Sequence, residues 1–341
     1  MTVLSEIGGW ITANEALLSG LAAMIVLAGV LFSPVGAGLR RLGRSGAGPP
    51  GAASRAQLSF QDLTKPGPAP VRFADSDGVR IAYNEQGRGP ITIILAPGIF
   101  SHLHIMANMP SSKDSIAALT RFARVICFDK RGQGLSDPTM QAPDLDERTR
   151  DIEAVMDAAG VERAVLLGFS EGGPMCLKFA WANPDRVQGL VLVGTTAKWV
   201  QTDDFPIGLP LRVLERLPEA WGTARLRGTF YPSISRDQID DDTYRSFEQL
   251  IGSRAAVRQL AQMMIGTDMR GLLPEIHVPT LVVHFTGDLA VPIRMGRAVA
   301  EGLPNAEFLE VNGVDHADLS QSREALEKIR AFCERVSPAA A

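Results

Sequence analysis

The pentapeptide Gly168-Phe169-Ser170-Glu171-Gly172 constrains this chain more than any other stretch. It stands between an apolar run, Ala164-Val165-Leu166-Leu167, and a helix-like segment, Pro174-Met175-Cys176-Leu177-Lys178-Phe179-Ala180. A serine between two glycines on a strand-to-helix turn is a nucleophile elbow. Such a turn strains the serine backbone and leaves no room for side chains at Gly168 and Gly172, so Oγ emerges at the strand's carboxyl end. The competing reading is a glycine-rich turn of a nucleotide-binding fold. Gly132-Gln133-Gly134 does not support it, because Asp137 stands where a dinucleotide fingerprint needs its third glycine.

The elbow predicts a sheet around it, and the chain supplies one. Val71–Asp75 and Val79–Asn84 read as a hairpin around Ser76-Asp77-Gly78. Ile91–Ala96, Ala123–Phe128 and Ala164–Gly168 are short and almost wholly apolar, as strands buried on both faces of a parallel sheet must be. Leu145–Ala159 places Ile152, Val155 and Met156 at helical spacing, as a crossover helix should. Leu190–Gly194, Leu281–Phe285 and Phe308–Val311 read as later strands, and Ser322–Arg335 as a closing helix. Between Lys198 and Asp268 there are helical patterns and no strands, which predicts a helical cap inserted over the sheet. With 341 residues, 45% of them apolar, the chain can bury an α/β core of this kind.

The amino terminus reads differently. Ala16–Leu39 carries no charge and is long enough to span a bilayer as a helix. A secretory signal would carry Lys or Arg ahead of its apolar core, whereas residues 1–15 contain neither and include Glu6 and Glu15. The expectation is a retained inner-membrane anchor within residues 1–42. Arg40, Arg41 and Arg44 place the carboxyl side in the cytoplasm. Gly29 and Ser33, four apart, would let two anchors approach as a homodimer. Residues 43–70, rich in Gly, Pro, Ala and Ser, read as a linker, and residues 71–341 as the α/β domain.

A serine hydroxyl needs a positioned base, and the base needs a carboxylate to fix its tautomer. In a strand–elbow–helix architecture the chain order is Ser, acid, His. Asp288 directly follows the strand Leu281–Phe285, and His316 lies between the last strand and the last helix. Of the other four histidines, His284 is inside a strand, His277 precedes Pro279 in a linker, and His102 and His104 follow the first buried strand. Asp315 and Asp318 rival Asp288 by proximity to His316, but loop neighbours usually point elsewhere. The oxyanion donors are then the main-chain N–H of Glu171 and of Ile99, in the loop Ala96-Pro97-Gly98-Ile99. The Glu171 carboxylate reads equally as a first-turn charge or a substrate contact. Trp199, Trp221, Phe230, Tyr231 and Met263 are the cap residues expected to line an apolar substrate pocket.

Composition excludes other classes. A net charge of −4 without a basic cluster in the domain gives nothing to attract nucleic acid. Cys127, Cys176 and Cys333 sit in apolar settings and read as reduced thiols. No metal-ligand spacing occurs, so neither a metal nor another cofactor is expected.

The stretches Ala96-Pro97-Gly98, Ser101-His102-Leu103, Phe128-Asp129-Lys130-Arg131-Gly132-Gln133-Gly134-Leu135-Ser136-Asp137 and Gly168–Met175 resemble the α/β-hydrolase superfamily. They are most similar to the modules that bacteria fuse to class III nucleotide cyclases or transcriptional regulators. That group shares Pro97 where most of the superfamily has His-Gly in the oxyanion loop. No cyclase or DNA-binding segment follows Ala341, so an attached output domain is not expected. The resemblance implies a triad of Ser170, Asp288 and His316. The expected activity is cleavage of carboxylic esters, with a preference for medium apolar chains. Thioester, lactone, C–C and peptide bonds stay open, as does a ligand-binding sensor with an inherited triad.

Overall fold

The computed structural model describes residues 58–140 and 143–337. The anchor expected at 16–39 lies outside these residues. Among those described, no helix is long and apolar enough to cross a membrane.

Among the described residues eight strands form one sheet: β1 (Arg72–Ser76), β2 (Val79–Gln86), β3 (Ile91–Ala96), β4 (Ala123–Phe128), β5 (Ala164–Phe169), β6 (Val187–Val193), β7 (Thr280–Phe285) and β8 (Ala306–Val311). Their spatial order is β1-β2-β4-β3-β5-β6-β7-β8. β1 pairs antiparallel with β2, and β2 antiparallel with β4; every later pairing is parallel. Alternate side chains of the central strands enter opposite cores. Ile94, Ile126, Leu166 and Leu192 pack on one face, and Ile93, Val125, Leu167 and Val191 on the other.

Eleven described helices surround the sheet. The short α1 (Phe60–Leu63) and α2 (Leu103–Met106) precede α3 (Pro110–Leu119), the crossover α4 (Leu145–Ala158) and the post-elbow α5 (Gly172–Ala182). α6 (Leu211–Ala220), α7 (Arg227–Phe230), α8 (Asp241–Ile251) and α9 (Arg254–Gly266) form the inserted segment; α10 (Ile293–Gly302) and α11 (Arg323–Val336) follow β7 and β8. α4 starts where it does because Asp144 and Glu147 form a reciprocal capping box. Its Ile152, Val155 and Met156 join one core, while Ala325, Ile329 and Phe332 of α11 close the other.

The inserted segment has its own base and its own core. Lys198 and Asp268 form an isolated antiparallel bridge where the chain leaves and rejoins the sheet layer. Trp199, Leu214, Tyr244, Phe247, Leu260 and Met264 form part of a third cluster that also takes in Leu63. From Leu58 onward, the stretch read above as linker is built into the domain. Ser59 caps α1 with Asp62, Leu63 is fully buried, the Leu58 N–H donates to Gln238 O (2.9 Å), and the Gly67 N–H donates to His104 Nδ1 (2.8 Å). One helical turn is too short for hydrophobic periodicity to register.

Candidate active site

The elbow is as tight as its glycines require. Ser170 closes it with φ of 49°, in the left-handed region. A Cβ on Gly172 would lie 2.4 Å from Ala96 O, and one on Gly168 would lie 2.9 Å from Gly173 Cα. The strained serine is gripped on both sides: its N–H donates to Val193 O (2.9 Å), and its carbonyl accepts from Thr195 Oγ1 (2.5 Å).

Asp288, in the turn after β7, is buried. Its Oδ1 accepts the N–H groups of Ala290 (2.9 Å) and Val291 (3.0 Å), which orients the carboxylate. Its Oδ2 accepts from His316 Nδ1 at 2.7 Å. A carboxylate cannot donate, so Nδ1 carries the proton and Nε2 presents a lone pair. That Nε2 is buried and has no hydrogen-bond partner among the described residues. Ser170 and His316 line the same cavity. Gly194 allows this crowding: its φ is 56°, and a Cβ there would lie 3.3 Å from both Asp288 Oδ2 and His316 Cε1.

His284 sits beneath the acid, with Nε2 donating to Val291 O (2.7 Å) and 3.7 Å from Asp288 Oδ2. Burial holds its pKa below the usual histidine value, which keeps it neutral. Asp315 faces the cap instead of His316: its Oδ1 accepts the Ser233 N–H at 2.9 Å, and its Oδ2 the Ser233 hydroxyl. The His316 N–H donates to Phe230 O at 2.7 Å. The cap therefore grips the histidine loop directly.

The two expected oxyanion donors flank the serine. Glu171 is the N-cap of α5, and Ile99 lies in the loop after β3, where a Cβ on Gly98 would come 3.3 Å from Ser170 Cβ. The Glu171 side chain lines neither of the cavities that Ser170 lines. Its carboxylate is fully buried between Lys130 Nζ and Arg148 Nη1, the latter at 2.7 Å. Lys130 Nζ also donates to Gly98 O, and at 3.4 Å to Ile99 O. Burial pushes the Lys130 pKa down to about 8, against the pull of Glu171. Lys130 follows β4 inside the stretch Phe128–Asp137. Arg148 gave no signal, since a lone arginine on the charged face of α4 reads as solvated.

Two cavities meet at the serine. The larger, of about 160 Å³, is lined by Phe100, Trp221, Phe230, Tyr231, Phe247 and Ile251 among others; the smaller, of about 60 Å³, by Trp199, Leu214, Leu217, Met264 and Val291. Of the expected pocket residues, Trp221, Phe230 and Tyr231 line the larger cavity, while Trp199 and Phe230 line the smaller. The Phe230 ring centroid lies 5.6 Å from that of His316. Met263 lines neither cavity. The buried stripe of α9 runs through Val257, Leu260, Ala261 and Met264, which turns Met263 off the cavity wall. Among the described residues no cluster of His, Cys, Asp and Glu could hold a metal ion.

The chain is similar in sequence and fold to known proteins. A non-heme chloroperoxidase from Streptomyces lividans is 30% identical, over 74% of this chain and 94% of that protein. A 2-hydroxy-6-oxononadienedioate/2-hydroxy-6-oxononatrienedioate hydrolase from Cupriavidus pinatubonensis is 29% identical, over 76% and 93%. An esterase from Exiguobacterium antarcticum superposes with a TM-score of 0.67 at 22% identity, over 77% of this chain and 98% of that one. Residues 91–322 match the family described as the alpha/beta hydrolase fold, and the chain belongs to that family.

Proposed function

We propose that this chain is a serine hydrolase that cleaves carboxylic esters through an acyl-enzyme on Ser170. The observation that carries the reading is the 2.7 Å bond from His316 Nδ1 to Asp288, which leaves Nε2 as a lone pair beside the cavity that Ser170 lines. In this mechanism Nε2 takes the hydroxyl proton as Oγ attacks the ester carbonyl. The carbonyl oxygen, now negative, is held by the N–H groups of Ile99 and Glu171. The same nitrogen returns the proton to the leaving alkoxide. Water, deprotonated in turn by His316, then releases the acid and frees Ser170.

The walls of the larger cavity favour an uncharged substrate, whereas Arg216 is among the residues lining the smaller one. The larger cavity has no Lys or Arg among its lining residues, whereas a dicarboxylate such as the substrate named for the Cupriavidus relative calls for cationic partners. Aromatic walls suit acyl chains of medium length, and each buried methylene favours catalysis by roughly 0.8 kcal/mol until the space is filled. The test is kcat/KM over 4-nitrophenyl esters from acetate to octanoate. A rise through the medium chains is expected. A flat or falling profile rejects the apolar preference, and ester binding without turnover would favour the ligand sensor.

We place the protein in the inner membrane through residues 16–39, with the hydrolase domain on the cytoplasmic side as Arg40, Arg41 and Arg44 direct. α1 packs on α2 and on cap helix α8, so the chain joins the domain on its cleft side, where a tether would hold the cleft toward lipid-derived esters. A carboxyl-terminal reporter that fluoresces only in the cytoplasm should light up. A reporter active only in the periplasm lighting up instead would reverse the orientation.

A further inference from the structure

Lys130 and Glu171 are fully buried and ion-paired directly behind the elbow, yet neither side chain takes part in the chemistry set out above. A buried ion pair contributes little net stability, since desolvating both charges offsets their attraction. What sets this pair apart is its remaining contacts.

Lys130 Nζ donates to the carbonyl of Gly98. That carbonyl belongs to the same peptide unit as the Ile99 N–H, and in a planar trans peptide the two groups point in opposite directions. Holding Gly98 O on the lysine side therefore aims the Ile99 N–H the other way, and the Gly98 backbone lies against Ser170. At its other end the lysine holds the Glu171 side chain, whose own main-chain N–H is the second donor. Arg148 fixes the remaining carboxylate oxygen at 2.7 Å. One ammonium thus spans the two peptides that must converge on a single oxygen.

We propose that Lys130 is a positioning residue that clamps the two halves of the oxyanion hole, through Gly98 O on one side and the Glu171 carboxylate on the other. The clamp rests on the reading of Ser170 as nucleophile. It acts in two ways. It removes the freedom of the Ile99 and Glu171 peptides to turn away from the developing charge, and it polarises the Gly98–Ile99 peptide, which makes its N–H a stronger donor. Both effects grow as the carbonyl oxygen becomes negative. They should therefore appear in kcat and leave KM nearly unchanged.

The test compares wild type, Lys130→Met and Glu171→Gln for 4-nitrophenyl butanoate turnover and for inhibition by an alkyl trifluoromethyl ketone. The ketone reports on the hole directly. Ser170 Oγ bonds to its carbonyl carbon, the C=O π bond opens, the oxygen becomes an oxyanion, and the hydroxyl proton moves to His316 Nε2. Methionine keeps the apolar stem, and Arg148 still neutralises Glu171, so the variant should fold. Lys130→Met should lower kcat on the order of 10²-fold, with KM within about threefold, and weaken the ketone by a factor similar to the kcat loss. Glu171→Gln should move both in the same direction by roughly tenfold, and it decides the matter if Lys130→Met fails to fold. Variants that melt earlier yet keep kcat and ketone affinity within about threefold of wild type would make the pair merely structural and overturn the clamp. A wild type inert toward both ester and ketone would instead defeat the Ser170 reading on which the clamp rests.

Discussion

Asp288→Asn is expected to disable the protein without unfolding it, and the structure says why. Oδ1 of Asp288 accepts two main-chain N–H groups, from Ala290 and Val291. Only the amide oxygen of an asparagine can occupy that position, so its NH2 must take the place of Oδ2, facing His316 Nδ1. An N–H donor there requires Nδ1 to be unprotonated. The proton then moves to Nε2, and the imidazole can no longer accept one from Ser170. Losing the correct tautomer and the charge that stabilises imidazolium should cost on the order of 10⁴ in kcat, roughly 5 kcal/mol of barrier. Stability should change little, because both main-chain bonds to the side chain survive. The assay is kcat for 4-nitrophenyl butanoate beside a thermal melt. A variant within about tenfold of wild-type kcat would refute the reasoning. So would an Asp315→Asn variant more damaged in chemistry than Asp288→Asn, since Asp315 serves Ser233 of the cap.

Gly194→Ala should lower both kcat and thermal stability, because it forces a side chain to φ of 56° and places its Cβ 3.2 Å from Ala317 Cβ beside the acid and base. The backbone cost alone is about 1–2 kcal/mol, and a variant with unchanged kcat would show that the crowding is harmless. Glu248, buried in the cap, has its pKa pushed up by burial to about 7. The folded protein then holds a proton that the unfolded chain releases near pH 4.5, so this group's contribution to stability falls as pH rises from there through 7. Between about pH 5 and pH 8, wild type should lose more stability than Glu248→Gln in paired melts, and equal slopes would contradict the assignment.

The parts legible in the sequence were those written in local patterns. Buried strands read as apolar runs, and the elbow read as a serine confined by glycines. Asp288 and His316, whose side chains meet at 2.7 Å, could be paired from the sequence because each lies just past a strand of the same sheet, where the carboxyl ends converge. Lys130 and Glu171 stand 41 residues apart, and nothing local distinguishes a buried lysine from a solvated one. The wall of the cleft was half legible. Cap aromatics announced themselves by type, but whether Met263 or Met264 reaches the cavity depends on the rotation of α9, which tertiary packing sets. The stretch from Leu58 to Pro70 shows the same limit. Its composition is that of a linker, and the burial of Leu63 against cap residues draws it into the fold.

The most direct test of the account is the mass of the protein after reaction with a fluorophosphonate. The phosphonyl group should add once, to Ser170, with loss of fluoride. Ser170→Ala should stay unlabelled, and His316→Ala should react far more slowly. Stoichiometric labelling of Ser170→Ala, or a wild type that hydrolyses esters yet never carries the adduct on Ser170, would contradict a serine nucleophile at the elbow.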